Sequence, residues 1–322
     1  MAALVLAPLA VRPAAHDPIT TKVTFTREIS AILAARCVTC HSPRGSAPMP
    51  LTTYAEVRPW ARAIKEQVLT RRMPKWHAAR GFGAFANDPT LTPLESALIV
   101  SWVDGGLPEG TAARTPARRQ AIAFTRKSDQ VLTVRASATQ AMMRTPTAWV
   151  AGWNFEPGDP LITSAVISSS SGAIGTWVAG DAPVVLPAGG AVRVSGEIRV
   201  RLNRRNAADY EQSVTPRASV LRLRASSDQR PRRVWTEQLA CGSAPSRAGN
   251  VIGVRPLLDP AASARVWVQR PGAPAAILGW FRDFDPNFAR TYWLARPVDA
   301  ATDTRFQSDG KCNLELTLAA RG

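Results

Sequence analysis

Val192-Arg193-Val194-Ser195-Gly196-Glu197-Ile198-Arg199-Val200-Arg201-Leu202 alternates apolar with polar side chains. A strand points successive side chains to opposite faces. This run therefore buries Val192, Val194, Ile198, Val200 and Leu202 and leaves Arg193, Glu197, Arg199 and Arg201 in water. Val220-Leu221-Arg222-Leu223-Arg224 and Leu314-Glu315-Leu316-Thr317-Leu318 repeat the pattern. Turn-forming stretches separate such runs: Glu156-Pro157-Gly158, Leu186-Pro187-Ala188-Gly189-Gly190 and Arg270-Pro271-Gly272. No long amphipathic helical pattern interrupts them. Residues 129–322 are expected to form an all-β antiparallel sandwich, jelly-roll-like in outline.

Upstream of this region the period changes. Residues 113–128 carry Arg114, Arg118, Arg119, Arg126 and Lys127 and no acidic residue, and read as a basic linker. Residues 21–112 read as a small all-α domain. Thr26 is placed to cap a helix with Ile29, Ile32 and Leu33 on one face, ending at Cys37. Tyr54 to Leu69 reads as a second helix along Val57, Trp60, Ala61, Ile64 and Val68. Thr92-Pro93-Leu94-Glu95 is a capping box with Pro at the first helical position. It opens a third helix along Leu94, Leu98 and Trp102, which Gly105-Gly106 stops. Residues 1–20 contain the apolar run Ala2 to Val11 ahead of Arg12-Pro13-Ala14-Ala15, a signal-like leader too short to span a bilayer.

The 322 residues, 45% of them hydrophobic, suffice for two domains with real cores. Basic residues number 40 against 24 acidic, a net charge of +16. The excess is spread over both halves, 17 to 8 through Ser128 and 23 to 16 beyond it. Nucleic acid is not an expected partner, since no basic face interleaved with stacking aromatics is seen. An acidic redox partner or a membrane-bound complex suits the charge better, with peripheral membrane contact through the N-terminus. The only histidines are His16, His41 and His77, so imidazole chemistry is not expected from any later residue.

Cys37-Val38-Thr39-Cys40-His41 is the motif that carries chemistry. Two thiols about one helical turn apart can form thioethers with the two vinyl edges of one porphyrin, and the adjacent imidazole then reaches the iron: the haem c attachment pattern. A redox disulfide or half of a zinc site uses a similar spacing. Here a helix rather than a strand precedes the pair, and the next cysteine is Cys241. One covalent haem c is the expected cofactor. Met73, in Arg71-Arg72-Met73-Pro74-Lys75-Trp76, is the expected distal iron ligand, with Met49 and His77 as alternatives. Trp60, Trp76 and Trp102 are candidates for contact with the ring. Cys241 and Cys312 are expected to form a disulfide in an oxidising compartment. Asp283, Asp285, Asp299 and Asp303 read as solvated turn residues, and the later tryptophans as sandwich core and rim.

Val23 to Gly110 resembles a bacterial monohaem cytochrome c domain. The pieces are Cys37-Val38-Thr39-Cys40-His41, Ala47-Pro48-Met49-Pro50-Leu51-Thr52-Thr53-Tyr54, Arg58-Pro59-Trp60-Ala61, Met73-Pro74-Lys75-Trp76-His77-Ala78, Phe85-Ala86-Asn87-Asp88 and Trp102-Val103-Asp104-Gly105-Gly106. In that family a second proline commonly stands where Lys75 does, and a variable apolar residue where Met49 does, which favours Met73. Trp153-Asn154-Phe155-Glu156-Pro157-Gly158-Asp159-Pro160, Trp177-Val178-Ala179-Gly180-Asp181, Leu186-Pro187-Ala188-Gly189 and Tyr292-Trp293-Leu294-Ala295-Arg296-Pro297 are similar to the C-terminal half of the copper type II, ascorbate-dependent monooxygenases of the peptidylglycine hydroxylase type. That resemblance implies a histidine pair where Thr163-Ser164 stands, and the only methionines after His77 are Met142 and Met143. The β-domain is thus expected to be degenerate and to hold no copper.

These readings imply an exported, periplasmic protein that moves single electrons through one haem and is not an enzyme, its metal-free β-domain docking a partner. The alternative is a structural periplasmic subunit of a membrane-associated redox or photosynthetic complex, with the haem secondary or absent.

Overall fold

The computed structural model describes residues 21–43, 45–111, 129–187, 189–209 and 215–321. The expected leader over 1–20 and linker over 113–128 lie outside the described residues. The helices are α1 (Ser30–Arg36), α2 (Tyr54–Val57), α3 (Ala61–Leu69) and α4 (Pro93–Asp104). A turn of π-helix at Phe25–Ile29 feeds α1. Its cap is Thr24 rather than Thr26: the Thr24 hydroxyl accepts from the Arg27 amide, and Glu28 accepts from the Thr24 amide. The expected single helix from Tyr54 to Leu69 is broken. Pro59 has no amide to donate, and Arg58–Trp60 tightens into a 3-10 turn between α2 and α3. Trp60 is left 42% exposed while Val57, Ala61, Ile64 and Val68 are buried. α4 opens on the Thr92–Glu95 capping box and ends at Gly105. It buries Ile99 and Trp102, whereas Leu94 faces solvent.

The strands are β1 (Gln130–Val134), β2 (Gln140–Glu156), β3 (Ile162–Ser169), β4 (Gly172–Val178), β5 (Val184–Val185), β6 (Gly190–Arg204) and β7 (Ser219–Ala225). There follow β8 (Arg232–Ala240), β9 (Gly249–Leu257), β10 (Ala264–Gln269), β11 (Ala276–Phe281), β12 (Tyr292–Ala300), β13 (Arg305–Ser308) and β14 (Asn313–Ala319). One large sheet runs β1-β7-β2-β6-β8-β14-β9-β12, with β3, β4 and β5 branching from it, and β11-β10-β13 forms a second. Every pairing is antiparallel except β6 with β8, which run parallel over Gly190–Val192. Two long strands join the parts. β2 pairs with β6 over its first half and β7 over its second, and β6 also pairs with β3 and β8.

The alternation in 192–202 is realised in β6, where Val192, Val194, Ile198, Val200 and Leu202 are all buried. The stretch 314–318 behaves differently. β14 lies between β8 and β9, and Glu315 and Thr317 are buried along with the leucines. Glu315 is compensated by Arg255, whose Nε and Nη2 donate to its two carboxylate oxygens at 3.0 and 2.9 Å.

The expected fold class, an all-α N-terminal domain plus an antiparallel sandwich, is corrected. About 41% of the chain is strand and 16% helix, and the sheet is large and mixed, with no distinct all-α N-terminal domain. The α-helices have 7, 4, 9 and 12 residues, lengths that depend on tertiary contacts for stability. Three apolar clusters form the core. One gathers Phe25, Leu33, Val57, Ile99 and Trp102 from the helices; another holds Trp153, Phe155, Ile167, Val200 and Leu221. The third takes Tyr292, Phe281, Phe306 and Leu316 from the strands, together with Ala78, Trp76 and Phe85 from upstream.

Residues 76–87 are stitched into that third cluster. Ala78 bridges Phe281 and Phe85 bridges Leu294. The amides of Ala79 and Ala86 donate to the carbonyls of Trp280 and Trp293 at 2.7 and 2.8 Å. Asn87 donates to the Thr291 carbonyl and accepts from the Trp293 amide, both at 2.9 Å. This segment therefore ties the helical part, which keeps its own apolar cluster, to the sheet.

Cys241, at the end of β8, and Cys312, at the start of β14, form a disulfide across 71 residues of sequence. Disulfides persist in oxidising compartments, which fits an extracytoplasmic chain. Among the described residues no helix is long and apolar enough to cross a membrane.

Candidate functional site

α1 ends at Cys37, whose amide donates to the Leu33 carbonyl at 2.8 Å. The next turn stays tight: the amides of Cys40 and His41 both donate to the Cys37 carbonyl, at 3.1 and 2.9 Å. The chain then loops back, Ala47 donating to the Cys40 carbonyl and Leu51 to the His41 carbonyl. This closure delivers the Met49 carbonyl to Nδ1 of His41 at 3.0 Å. Nδ1 carries the proton in that bond, so Nε2 keeps its lone pair. His41 is buried, and burial holds its pKa below the ordinary imidazole value, so the ring is neutral. A metal-ligating histidine uses one nitrogen in this way to fix the other.

Both thiols are free. Burial, with Cys40 beside it, pushes the Cys37 thiol up to about 12. Burial also raises Cys40, opposed by Arg290 and by a hydrogen bond with Ser46. They are therefore thiols rather than reactive thiolates at neutral pH. Both stay partly exposed, and the sheet approaches Cys40. The turn after β4 brings Gly180 so near that an added Cβ would lie 2.3 Å from the Cys40 sulfur. Gly180 also has φ 90, a conformation glycine adopts without penalty. Next to it Asp181 pairs with Arg290 at 3.3 Å, and Arg290 donates to the Ala179 carbonyl. Burial raises the Asp181 pKa against the pull of Arg290 and of the Val178 amide.

Arg290 also lies over the ring of Trp76 at 5.8 Å and within electrostatic reach of His77. His77 is buried in the third cluster. Its Nε2 accepts from the Asp285 amide at 3.3 Å, its Nδ1 faces the Tyr292 hydroxyl at 3.4 Å, and its own amide donates to that hydroxyl. Burial, then Arg290, lowers its pKa to about 4. Tyr292 is fully buried against Trp76, Phe85 and Phe281, and burial raises its pKa.

Beside His77 opens a cleft of about 1100 Å³ between α3, the 70–80 segment, the N-terminus of α4 and the end of β11. Met73 lines it, 39% exposed. Cys37, Cys40 and His41 are not among its lining residues, so the structure does not bring Met73 and the Cys37–His41 turn onto one open cavity. The other candidates are scattered. Met49 packs on the helical cluster beside Cys37, and its carbonyl is committed to His41. Trp102 is fully buried there, its indole donating to the Pro108 carbonyl at 3.0 Å. Trp76 belongs to the third cluster, and Trp60 is exposed. Thr163 and Ser164 bond to Asn203 within the β3–β6 pair. Asp285 caps the turn at 286–288, and Asp299 pairs with Arg321.

No protein-family model and no curated protein matches the chain. The expected membership in a monohaem cytochrome c family joined to a copper monooxygenase-like half is thereby overturned: the chain is mostly β-sheet with only short helices, and no family is found. Among solved structures, the atomic structure of Sulfolobus Turreted Icosahedral Virus overlaps at TM-score 0.28 and 9% identity, over 59% of this chain and 90% of that one. The CUB1-EGF-CUB2 domain of human MASP-1/3 overlaps at TM-score 0.19 and 9% identity, over 59% of this chain and 99% of that one. Neither likeness carries an argument.

The residues of this turn fit a covalently held macrocycle on one count that sequence reasoning did not reach: the Met49 carbonyl fixes the imidazole tautomer. Sequence reasoning also missed Gly180, Asp181 and Arg290 as surroundings of Cys40. Nothing in their local pattern ties them to a motif at residue 37. Among the described residues no three His, Cys, Asp or Glu side chains converge closely enough to hold a metal ion.

Proposed function

We propose that this protein is an extracytoplasmic one-electron carrier holding a single haem c through Cys37 and Cys40, with His41 as an axial ligand. The reading is an electron-transfer protein rather than an enzyme, acting in the periplasm with a separate redox partner. The observation that carries it is the His41 imidazole, buried, neutral and pinned by its Nδ1–H to Met49, with Nε2 left to bind iron. Two free thiols precede it, Cys37 one turn back and Cys40 adjacent, while the other two cysteines of the chain are joined to each other.

Bound there, haem supplies a reversible one-electron change at its iron. The chain does the rest. Cys37 and Cys40 would tether, His41 would ligate, and Cys37 packs on the helical apolar cluster. The Asp181–Arg290 pair fixes opposite charges beside the Cys40 sulfur. Of the three distal candidates, His77 has both ring nitrogens engaged; Met73 keeps a half-exposed thioether but does not share a cavity with the Cys37–His41 turn, so its ligation requires the 70–75 segment to move.

The test is expression of the full chain with a haem c maturation system, followed by haem staining after denaturation. One covalent haem is expected, and none for Cys37→Ser/Cys40→Ser. A wild-type chain that stays haem-free, with both thiols titratable, would overturn the proposal. Met73→Ala should then remove the sulfur-to-iron charge-transfer band and lower the potential; an unchanged band gives the ligation to another group.

A further inference from the structure

We propose that the cleft between α3, the 70–80 segment and the end of β11 is a docking site for an acidic, extended segment of a partner protein. Its lining carries Arg71, Arg72, Lys75, Arg80 and Arg282 against the single carboxylate Asp283. All five cations are exposed. Three have protein partners: Lys75 lies 3.7 Å from Asp285, Arg80 donates to the Leu91 carbonyl and to Thr90, and Arg282 stacks on Trp280 at 5.1 Å. Among the described residues neither Arg71 nor Arg72 has a carboxylate within ion-pair distance. Arg71 also has φ 57, an uncommon value for a residue with a Cβ, which fixes the direction in which the segment turns its side chains.

Between the charges lies apolar surface. Leu69 is 58% exposed, and Phe82 and Trp280 meet edge to face at 4.9 Å. An apolar patch ringed by like charges is the anatomy of a protein interface in which the rim steers and the centre holds. The concave shape decides the occupant. A planar headgroup surface cannot follow the chain into a cleft of about 1100 Å³, whereas an extended peptide with an apolar side chain can. A volume at or above the upper end of ordinary small-molecule pockets also exceeds what one small anion needs. The site is argued from charge and shape alone; Met73, which lines it, is also the distal candidate above, so the titration is made on the haem-free chain.

The probe is a fluorescein-labelled polyglutamate peptide with one central phenylalanine, titrated into the full chain at low salt and followed by anisotropy. Arg71→Glu/Arg72→Glu/Arg282→Glu should weaken binding by about tenfold or more and flatten its salt dependence. Arg193→Glu/Arg201→Glu/Arg230→Glu carries the same change in net charge on β6 and the β7–β8 loop and should change binding less than about twofold. Matching circular dichroism and melting temperatures establish that both variants fold; a cleft variant that does not is replaced by Arg71→Gln/Arg72→Gln with the same expectation. Equal losses in the two sets would overturn the proposal, as net charge alone would then explain binding. Displacement of the peptide by inorganic phosphate at constant ionic strength would also overturn it, as would dependence on the cleft of phosphatidylglycerol vesicle binding but not of peptide binding.

Discussion

Residues 37–51 and residues 76–87 each carry a buried, neutral histidine, and they hold it in opposite ways. His41 is fixed by one bond from a carbonyl eight residues along the chain, and its second nitrogen is left over. His77 is fixed by groups 208 and 215 residues away, and both of its nitrogens are used. The first arrangement leaves one ring nitrogen with its lone pair. The second uses both nitrogens to join the upstream segment to the sheet. The contrast separates a locally held ring from a structural seam among residues of one chemical type.

The sharpest way to break that contrast is at the thiols. Cys37→Ser/Cys40→Ser should abolish covalent haem completely by in-gel staining, while Cys241→Ser/Cys312→Ser should retain it at a cost of about 4 kcal/mol in denaturant unfolding, from releasing the long loop. The seam is tested by Tyr292→Ala, which empties a fully buried ring site and should cost about 3–5 kcal/mol. Helix and sheet probes should still report one coincident transition; two separate transitions would mean that the 76–87 segment does not couple the parts. Asn87→Ala removes two bonds to the backbone of Thr291 and Trp293 and should cost about 1–3 kcal/mol, read from the denaturation midpoint.

A further effect is in pH. Folding lowers His77 from the ordinary value of 6.5 to about 4, so the unfolded chain takes up the proton first. The stability this represents is complete above pH 6.5 and is lost as the pH falls towards 4. His77→Gln should flatten that limb of the stability curve. The shallower slope that remains belongs in part to His41, which burial shifts the same way.

What could be read beforehand follows the range of the contacts. The alternation in β6 was legible because that strand buries one face. The stretch Leu314–Leu318 misled because β14 has neighbours on both sides and both of its faces covered, so Glu315 and Thr317 are interior. The end of α1 at Cys37 was legible because it is a local feature, the Cys37 amide closing on the Leu33 carbonyl. Pro59 gave a readable reason to break the second helix, yet the apolar stripe through Trp60 outweighed it. The seam was invisible: Ala78, Phe85 and Asn87 meet partners some 200 residues later, and no local period announces such a pairing. For the same reason, histidine position in the sequence was a poor guide to which cluster it serves. His77, the last in the chain, stands inside the β-core.

The closeness of Gly180 to the Cys40 sulfur gives position 180 one admissible residue. A Cβ there would lie 2.3 Å from that sulfur and its residue would have to adopt φ 90, so any larger residue pushes the turn after β4 away from the end of α1. The fit between the two parts of the molecule is gauged at this point by the absence of a single carbon.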